Sequence, residues 1–180
     1  MIYTIMRISL IEHTNSDHGS RFVLGSFHKH AKLSPIIFTV WRNLAKRIPN
    51  SLLWVVRIAD NVQPQIRLEA ESHGVTGMVV HDQIRTEDMQ QGAHLAARIW
   101  SDIALDTPVY NGHTTMAELL WSGVPTITCP GQRSMASRLA TSLLGSVGLP
   151  ALSVVSLKQY EDLATSLAYS TNIPGPSSAL

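Results

Sequence analysis

Cysteine is nearly absent from these 180 residues: Cys129 stands alone. One thiol excludes an intrachain disulfide and any Cys-based zinc site, and a reducing compartment fits best. Charge is also sparse, at 15% of residues against 44% hydrophobic, and the formal net charge is only +1. That balance is globular rather than disordered. It leaves no global field to recruit nucleic acid or an anionic membrane, so an anionic ligand must be held by a local site. Residues 139–157 are uncharged and about long enough to span a bilayer. Gly145, Gly148 and Pro150 interrupt them, which reads as a helix end, a turn and a new element. Residues 1–10 are mildly apolar but interrupted by Arg7, with no cleavage pattern, and residues 1–20 are read as a ragged leader.

What is present is an alternation of strand and helix signals. Residues 21–27 read as a β-type run. Ser34-Pro35 then supplies an N-cap and a first-turn proline, followed by Ile36, Ile37, Val40, Trp41, Leu44 and Ile48 at helical spacing. Residues 51–58 form an apolar run of the kind buried on both faces of a sheet. Further helices are expected over 65–73, 86–101, 114–121, 133–144 and 156–169, and strands over 77–80, 103–105 and 125–128. Residues 170–180 are rich in Pro, Gly and Ser and are expected to fray. Alternating strands and helices imply an open parallel α/β sheet, whose ligands bind beyond the carboxyl ends of the strands. Trp41, Trp54, Trp100 and Trp121 are expected in the core, with Cys129 as a small buried hydrophobe. Lys46-Arg47 suits the negative end of a helix dipole.

The richest strand-to-helix loop is residues 105–115, Leu-Asp-Thr-Pro-Val-Tyr-Asn-Gly-His-Thr-Thr. Asn111-Gly112 makes a turn, and His113, Thr114 and Thr115 open the next helix. The first N–H groups of a helix lack intrahelical partners and carry the positive end of its dipole. With two hydroxyls and an imidazole beside them, they suit a phosphate or pyrophosphate; they equally suit a plain capped helix start. Glu118, one turn below Thr114, could accept from both hydroxyls of a ribose or simply be a solvated charge. His28, Lys29 and His30 form no recognisable metal-ligand spacing, and no metal is expected.

The ordered motifs Asp106-Thr107-Pro108, Asn111 to Thr115, Leu120 to Pro125, Pro130-Gly131 and Ala136-Ser137-Arg138 resemble the C-terminal catalytic lobe of the protein O-GlcNAc transferases, a group that includes the plant SPINDLY-type enzymes. Residues 22–35 resemble the strand and loop that open that lobe, and residues 50–54 and 160–164 fit as well. The resemblance implies a Rossmann-like α/β lobe of a GT-B glycosyltransferase over residues 21–169. It implies UDP-GlcNAc as donor and transfer of N-acetylglucosamine to Ser or Thr of a protein, without a metal or other cofactor. By position, Lys32 matches the lysine that contacts the diphosphate and helps it leave, and is the expected catalytic residue. His94 matches a nucleotide-binding histidine, and His113, Thr114 and Thr115 the diphosphate-binding turn. Glu118 stands where the family usually has a ribose-binding Asp.

Some positions depart from the animal enzymes. Lys29 replaces a Gln, Ala97 replaces an Arg with Arg98 beside it, and the segment between Val80 and His94 is longer, leaving Arg85 as a weak counterpart for a lysine. The sequence contains no tetratricopeptide array and no first Rossmann lobe. The implied partners are therefore a UDP-sugar, a protein acceptor, and an N-terminal catalytic lobe or tetratricopeptide-containing chain, in the cytoplasm or nucleus. The alternatives are a SPINDLY-like O-fucosyltransferase using GDP-fucose, or a non-catalytic interaction module.

Overall fold

The computed structural model describes residues 21–56, 62–75, 78–81, 98, 101–131 and 134–171. Its centre is a parallel sheet of five strands: β1 (Phe22–Ser26), β2 (Ser51–Val56), β3 (Met78–His81), β4 (Ile103–Leu105) and β5 (Thr126–Ile127). They lie in the order β3-β2-β1-β4-β5. Chain order therefore runs outward from β1 to β3 and then returns to the other side of β1. Leu24 of β1 faces Leu53 on one flank and Ile103 on the other. The order reverses between β1 and β4, and in open α/β sheets the crevice beyond the carboxyl ends at such a point is where ligands bind.

The central strands are apolar, as strands buried on both faces are. Every residue of β1 and of β4 is buried. Helix α1 (Pro35–Arg47) opens with the expected cap, Ser34 Oγ accepting from the Ile37 N–H at 3.3 Å. Its Ile37, Val40, Trp41 and Leu44 join Leu24, Leu53, Leu105 and Ile127 in the main core. Helix α5 (Leu157–Thr171) adds Tyr160, Ala164 and Ala168 to the same core. Arg47 at the end of α1 reaches Glu161 and Asp162 of α5, so it ties two helices together as well as suiting the dipole. Helix α2 (Gln63–Ser72) stops at Gly74, whose φ of +76° is a left-handed conformation that favours glycine. Helix α3 (Thr114–Trp121) follows β4, and α4 (Leu139–Ser146) packs against it through Met116, Ala140 and Leu144.

Two expectations need correction. The continuous helix over 133–144 is instead a 3-10 turn, Met135–Ser137, followed by α4. Ser137 folds back on Gly131, its carbonyl accepting the Gly131 N–H at 2.9 Å and its hydroxyl donating to the Gly131 carbonyl at 3.1 Å. The Ala136 carbonyl accepts from Asn111 N–H at 2.9 Å, so pairing with the β4 loop overrides local helix propensity. Trp121 is not core but 85% exposed. Met116 and Leu119 are the buried residues of α3, and Trp121 lies two positions, roughly 200° of helical rotation, beyond Leu119. Trp41, Trp54 and Cys129 are buried as expected. Trp100 and most of the helix expected over 86–101 lie outside the described residues. Among the described residues, no helix is long and apolar enough to cross a membrane, and Gly148, at φ +76°, ends the suspect apolar stretch after α4.

Candidate functional site at the β1–β4 crevice

The site is built from the loops leaving β1 and β4. After β4 the chain turns through Asp106, which is fully buried. Its Oδ1 accepts the Gly112 N–H at 2.7 Å and its Oδ2 the Thr128 hydroxyl at 2.6 Å. Its carbonyl accepts the Tyr160 hydroxyl at 3.0 Å. Asn111 Nδ2 donates to the Thr107 carbonyl, Asn111 Oδ1 accepts the Ala140 N–H, and Thr107 Oγ1 donates to the Tyr110 carbonyl. Residues 106–112 are thus held both by bonds within the turn and by remote partners: Thr128 just after β5, Ala140 of α4 and Tyr160 of α5. The loop delivers His113 to the start of α3, where the His113 carbonyl accepts the Ala117 N–H. The N–H groups of Thr114, Thr115 and Met116 precede that first helical bond and have no partner within the helix.

The β1 loop brings Lys32 across to meet them. Lys32 Nζ donates to the Asn111 carbonyl at 2.8 Å and lies 4.1 Å from the centre of the Tyr110 ring. Tyr110 in turn stacks on His113, with ring centres 4.9 Å apart and planes 17° from parallel. Lys32 therefore meets the Asn111 turn 79 residues further on, beside the stacked Tyr110 and His113, while Thr114 and Thr115 follow His113 in the first turn of α3. Burial lowers the Lys32 pKa, as does nearby Lys29, while Asp106 opposes them. Glu118 sits on α3 below Thr114, its carboxylate paired with the guanidinium of the nearly buried Arg98 and still 41% exposed. His94 lies outside the described residues.

Sequence reasoning assigned no role to His28, which is 5% exposed with Nε2 3.3 Å from Asp106 Oδ1. A methyl group on Gly112 would come within 2.5 Å of His28 Cε1, so the imidazole packs directly under the turn. Burial, then the charges of Lys32 and Arg98, lower its pKa to about 3, so it is neutral at physiological pH. Burial raises Asp106 to about 6, against the opposing effect of its hydrogen bonds and Lys32. Asp106 was visible as the polar residue that ends an apolar strand, but its partners are remote in sequence. Among the described residues no group of three or more His, Cys, Asp or Glu side chains is arranged to hold a metal ion.

The sequence model of glycosyl transferase family 41 matches residues 17–173. The chain belongs to this family. It is 39% identical, over 85% of its length, to the Arabidopsis thaliana probable UDP-N-acetylglucosamine–peptide N-acetylglucosaminyltransferase SEC. It is 31% identical over 81% of its length to a Caenorhabditis elegans UDP-N-acetylglucosamine–peptide N-acetylglucosaminyltransferase. To the SPINDLY relative of Hordeum vulgare it is 34% identical over 80%. The chain spans only 16%, 12% and 15% of these three proteins. Its fold matches a mutant of the Thermobaculum terrenum O-GlcNAc transferase with a TM-score of 0.73 and 28% identity, over 86% of this chain and 29% of that one. The α/β parallel sheet is thus the one this family uses, and the β1–β4 crevice lies inside the matched residues.

Proposed function

We propose that this family 41 chain is a nucleotide-sugar-binding lobe that takes UDP-GlcNAc for transfer of N-acetylglucosamine to Ser or Thr of proteins. The observation that carries the reading is the approach of Lys32 Nζ to within 2.8 Å of the Asn111 carbonyl, at the threshold of α3. A fixed ammonium beside a helix N-terminus suits a diphosphate, and the names of the relatives supply the donor. In the reaction, the sugar C1–O bond breaks with its electron pair left on the β-phosphate, while the acceptor oxygen bonds to C1. Lys32 neutralises the charge that gathers on the departing diphosphate. The N–H groups and hydroxyls of Thr114 and Thr115, with His113, hold the phosphates so that this charge meets donors already in place. Glu118 accepts from the ribose hydroxyls on its open side, and His94 lines the nucleotide pocket. No metal is needed, because protein donors occupy its place. The base that takes the acceptor's proton, and the enclosure that excludes water, come from an N-terminal lobe. The lone buried Cys129 suits a reducing compartment, cytoplasm or nucleus.

Calorimetric titration of the chain with UDP and with GDP, repeated on Lys32→Ala and His113→Ala, tests this reading. Saturable UDP binding weakened at least about tenfold by each substitution is expected, the loss of one charge-assisted contact. A preference for GDP would move the donor to GDP-fucose. Failure of the folded chain to bind either nucleotide would overturn the site assignment and leave an interaction module.

A further inference from the structure

Among the described residues, Tyr110 is the aromatic ring that touches two of the candidate diphosphate-binding side chains, Lys32 and His113. Lys32 Nζ lies 4.1 Å from its centre, and His113 stacks on it almost in parallel. The ring has little freedom to leave. Its backbone carbonyl accepts the Thr107 hydroxyl at 2.7 Å, and the next residue, Asn111, is bonded to Thr107, Ala136 and Ala140. Yet 45% of Tyr110 is exposed, so it borders the crevice instead of filling the core.

The consequences for Lys32 follow from the chemistry of an ammonium. Its four-carbon stem is flexible, and a free lysine would sweep a wide volume. Here one of its three N–H donors is spent on the Asn111 carbonyl, and the π face of Tyr110 attracts the charge from a second direction. The other donors remain for a ligand. For His113, stacking fixes the ring plane; its Nε2 is buried and has no hydrogen-bond partner among the described residues. A buried ring nitrogen without a partner is unfavourable unless a ligand satisfies it.

We propose that Tyr110 is a positioning residue for diphosphate binding: its ring parks the Lys32 ammonium and the His113 imidazole where both meet one anion. This rests on the nucleotide-binding reading above. Tyr110 forms and breaks no bond; it removes disorder from two donors that arrive on different strands' loops, so less is lost when the ligand binds. The phenolic hydroxyl is not required, because the π face carries the effect.

The experiment compares Tyr110→Phe, which keeps the ring, with Tyr110→Leu, which keeps an apolar side chain but loses the π face. UDP affinity is measured for the 180-residue chain carrying each, alone and combined with Lys32→Ala. In parallel, the Lys32 ε-methylene proton resonance, assigned as the one lost in Lys32→Ala, is recorded without ligand. Ring current should move it upfield in the parent and in Tyr110→Phe, and release it in Tyr110→Leu. Tyr110→Phe should bind UDP within about twofold of the parent, and Tyr110→Leu about three- to tenfold more weakly. In the Lys32→Ala background the leucine penalty should shrink, since His113 alone then feels the loss. An unshifted lysine resonance in the parent overturns the proposal, and so does an equal leucine penalty with and without Lys32. Tighter binding by Tyr110→Leu also overturns it, since the ring would then obstruct the site. If the parent binds no UDP, the nucleotide reading fails on its own measurement. The upfield resonance, kept in Phe and lost in Leu, would still support Tyr110 as the residue that fixes Lys32.

Discussion

Replacing Asp106 by Asn and by Ala separates the two things this carboxylate does. Its oxygens accept the buried Gly112 N–H and the buried Thr128 hydroxyl, at 2.7 and 2.6 Å. It also carries a charge that burial disfavours, raising its pKa from 3.8 to about 6. At ~1.4 kcal/mol per pH unit, holding that charge at neutral pH costs about 3 kcal/mol. Asn removes this cost and keeps an acceptor for Gly112, but loses the charged acceptor for Thr128, worth ~1–2 kcal/mol. Asp106→Asn should therefore unfold within about 2 kcal/mol of the parent at pH 7.5. Ala leaves both donors buried and unpaired at ~1–3 kcal/mol each, so it should be less stable than Asn by at least about 2 kcal/mol. The pH dependence follows from the direction of the shift. Between about pH 4 and 6 the folded parent holds a proton that the unfolded chain has released. Its stability relative to Asp106→Asn therefore rises as pH falls through this window and is lost as pH rises through about 6. Urea unfolding at pH 7.5, 6, 5 and 4 would read both effects. If Asn destabilises as much as Ala at pH 7.5, or if the parent–Asn difference is flat with pH, the account of Asp106 is wrong.

Two other substitutions test the packing beneath the site. His28 has its pKa lowered to about 3, so from pH 6.5 downward the unfolded state takes up a proton that the folded state refuses. His28→Gln should therefore lose less stability than the parent as pH falls from 7 to 4, by up to ~1.4 kcal/mol per pH unit in the same urea titration. Gly25, paired with Trp54 and Ala104 in the sheet, leaves no room for a methyl group: a Cβ there would meet Ser101 Oγ and lie 2.7 Å from Phe27 Cε2. Gly25→Ala should cost about 1–3 kcal/mol in thermal unfolding, with part of the loss recovered by adding Ser101→Gly.

The elements legible in the sequence were those set by periodicity and punctuation. Ser34-Pro35 announced α1, and apolar runs announced β1 and β2; Gly74 and Gly123, which follow α2 and α3, both sit at positive φ. The α3 entry with His113, Thr114 and Thr115 was legible because a turn pair precedes a helix. Failures came where distant partners decide. The Asn111–Ala136 and Gly131–Ser137 bonds break the helix expected over 133–144. Trp121 looked apolar and therefore buried, but its angle around α3 turns it outward. The clamp on Asp106 draws on Gly112, Thr128 and Tyr160, which no local window brings together. The Arg98–Glu118 pair joins residues 20 apart for the same reason.

The central position of β1 governs how the chain can fold. On one edge β1 pairs with the nearby β2, Phe22 with Ser51, and on the other with the more distant β4, Leu24 with Ile103. Such a long loop must close before its contacts repay the lost entropy, which makes this pairing intrinsically slow. During synthesis at ~5–20 residues per second, the β1–β2 hydrophobic surface emerges several seconds before β4 is available to flank it. The contact between Lys32 and Asn111 spans the same 79 residues. That contact is therefore a reporter of completed topology: when only the first three strands have formed, the lysine is present but the Asn111 carbonyl is not yet placed to hold it.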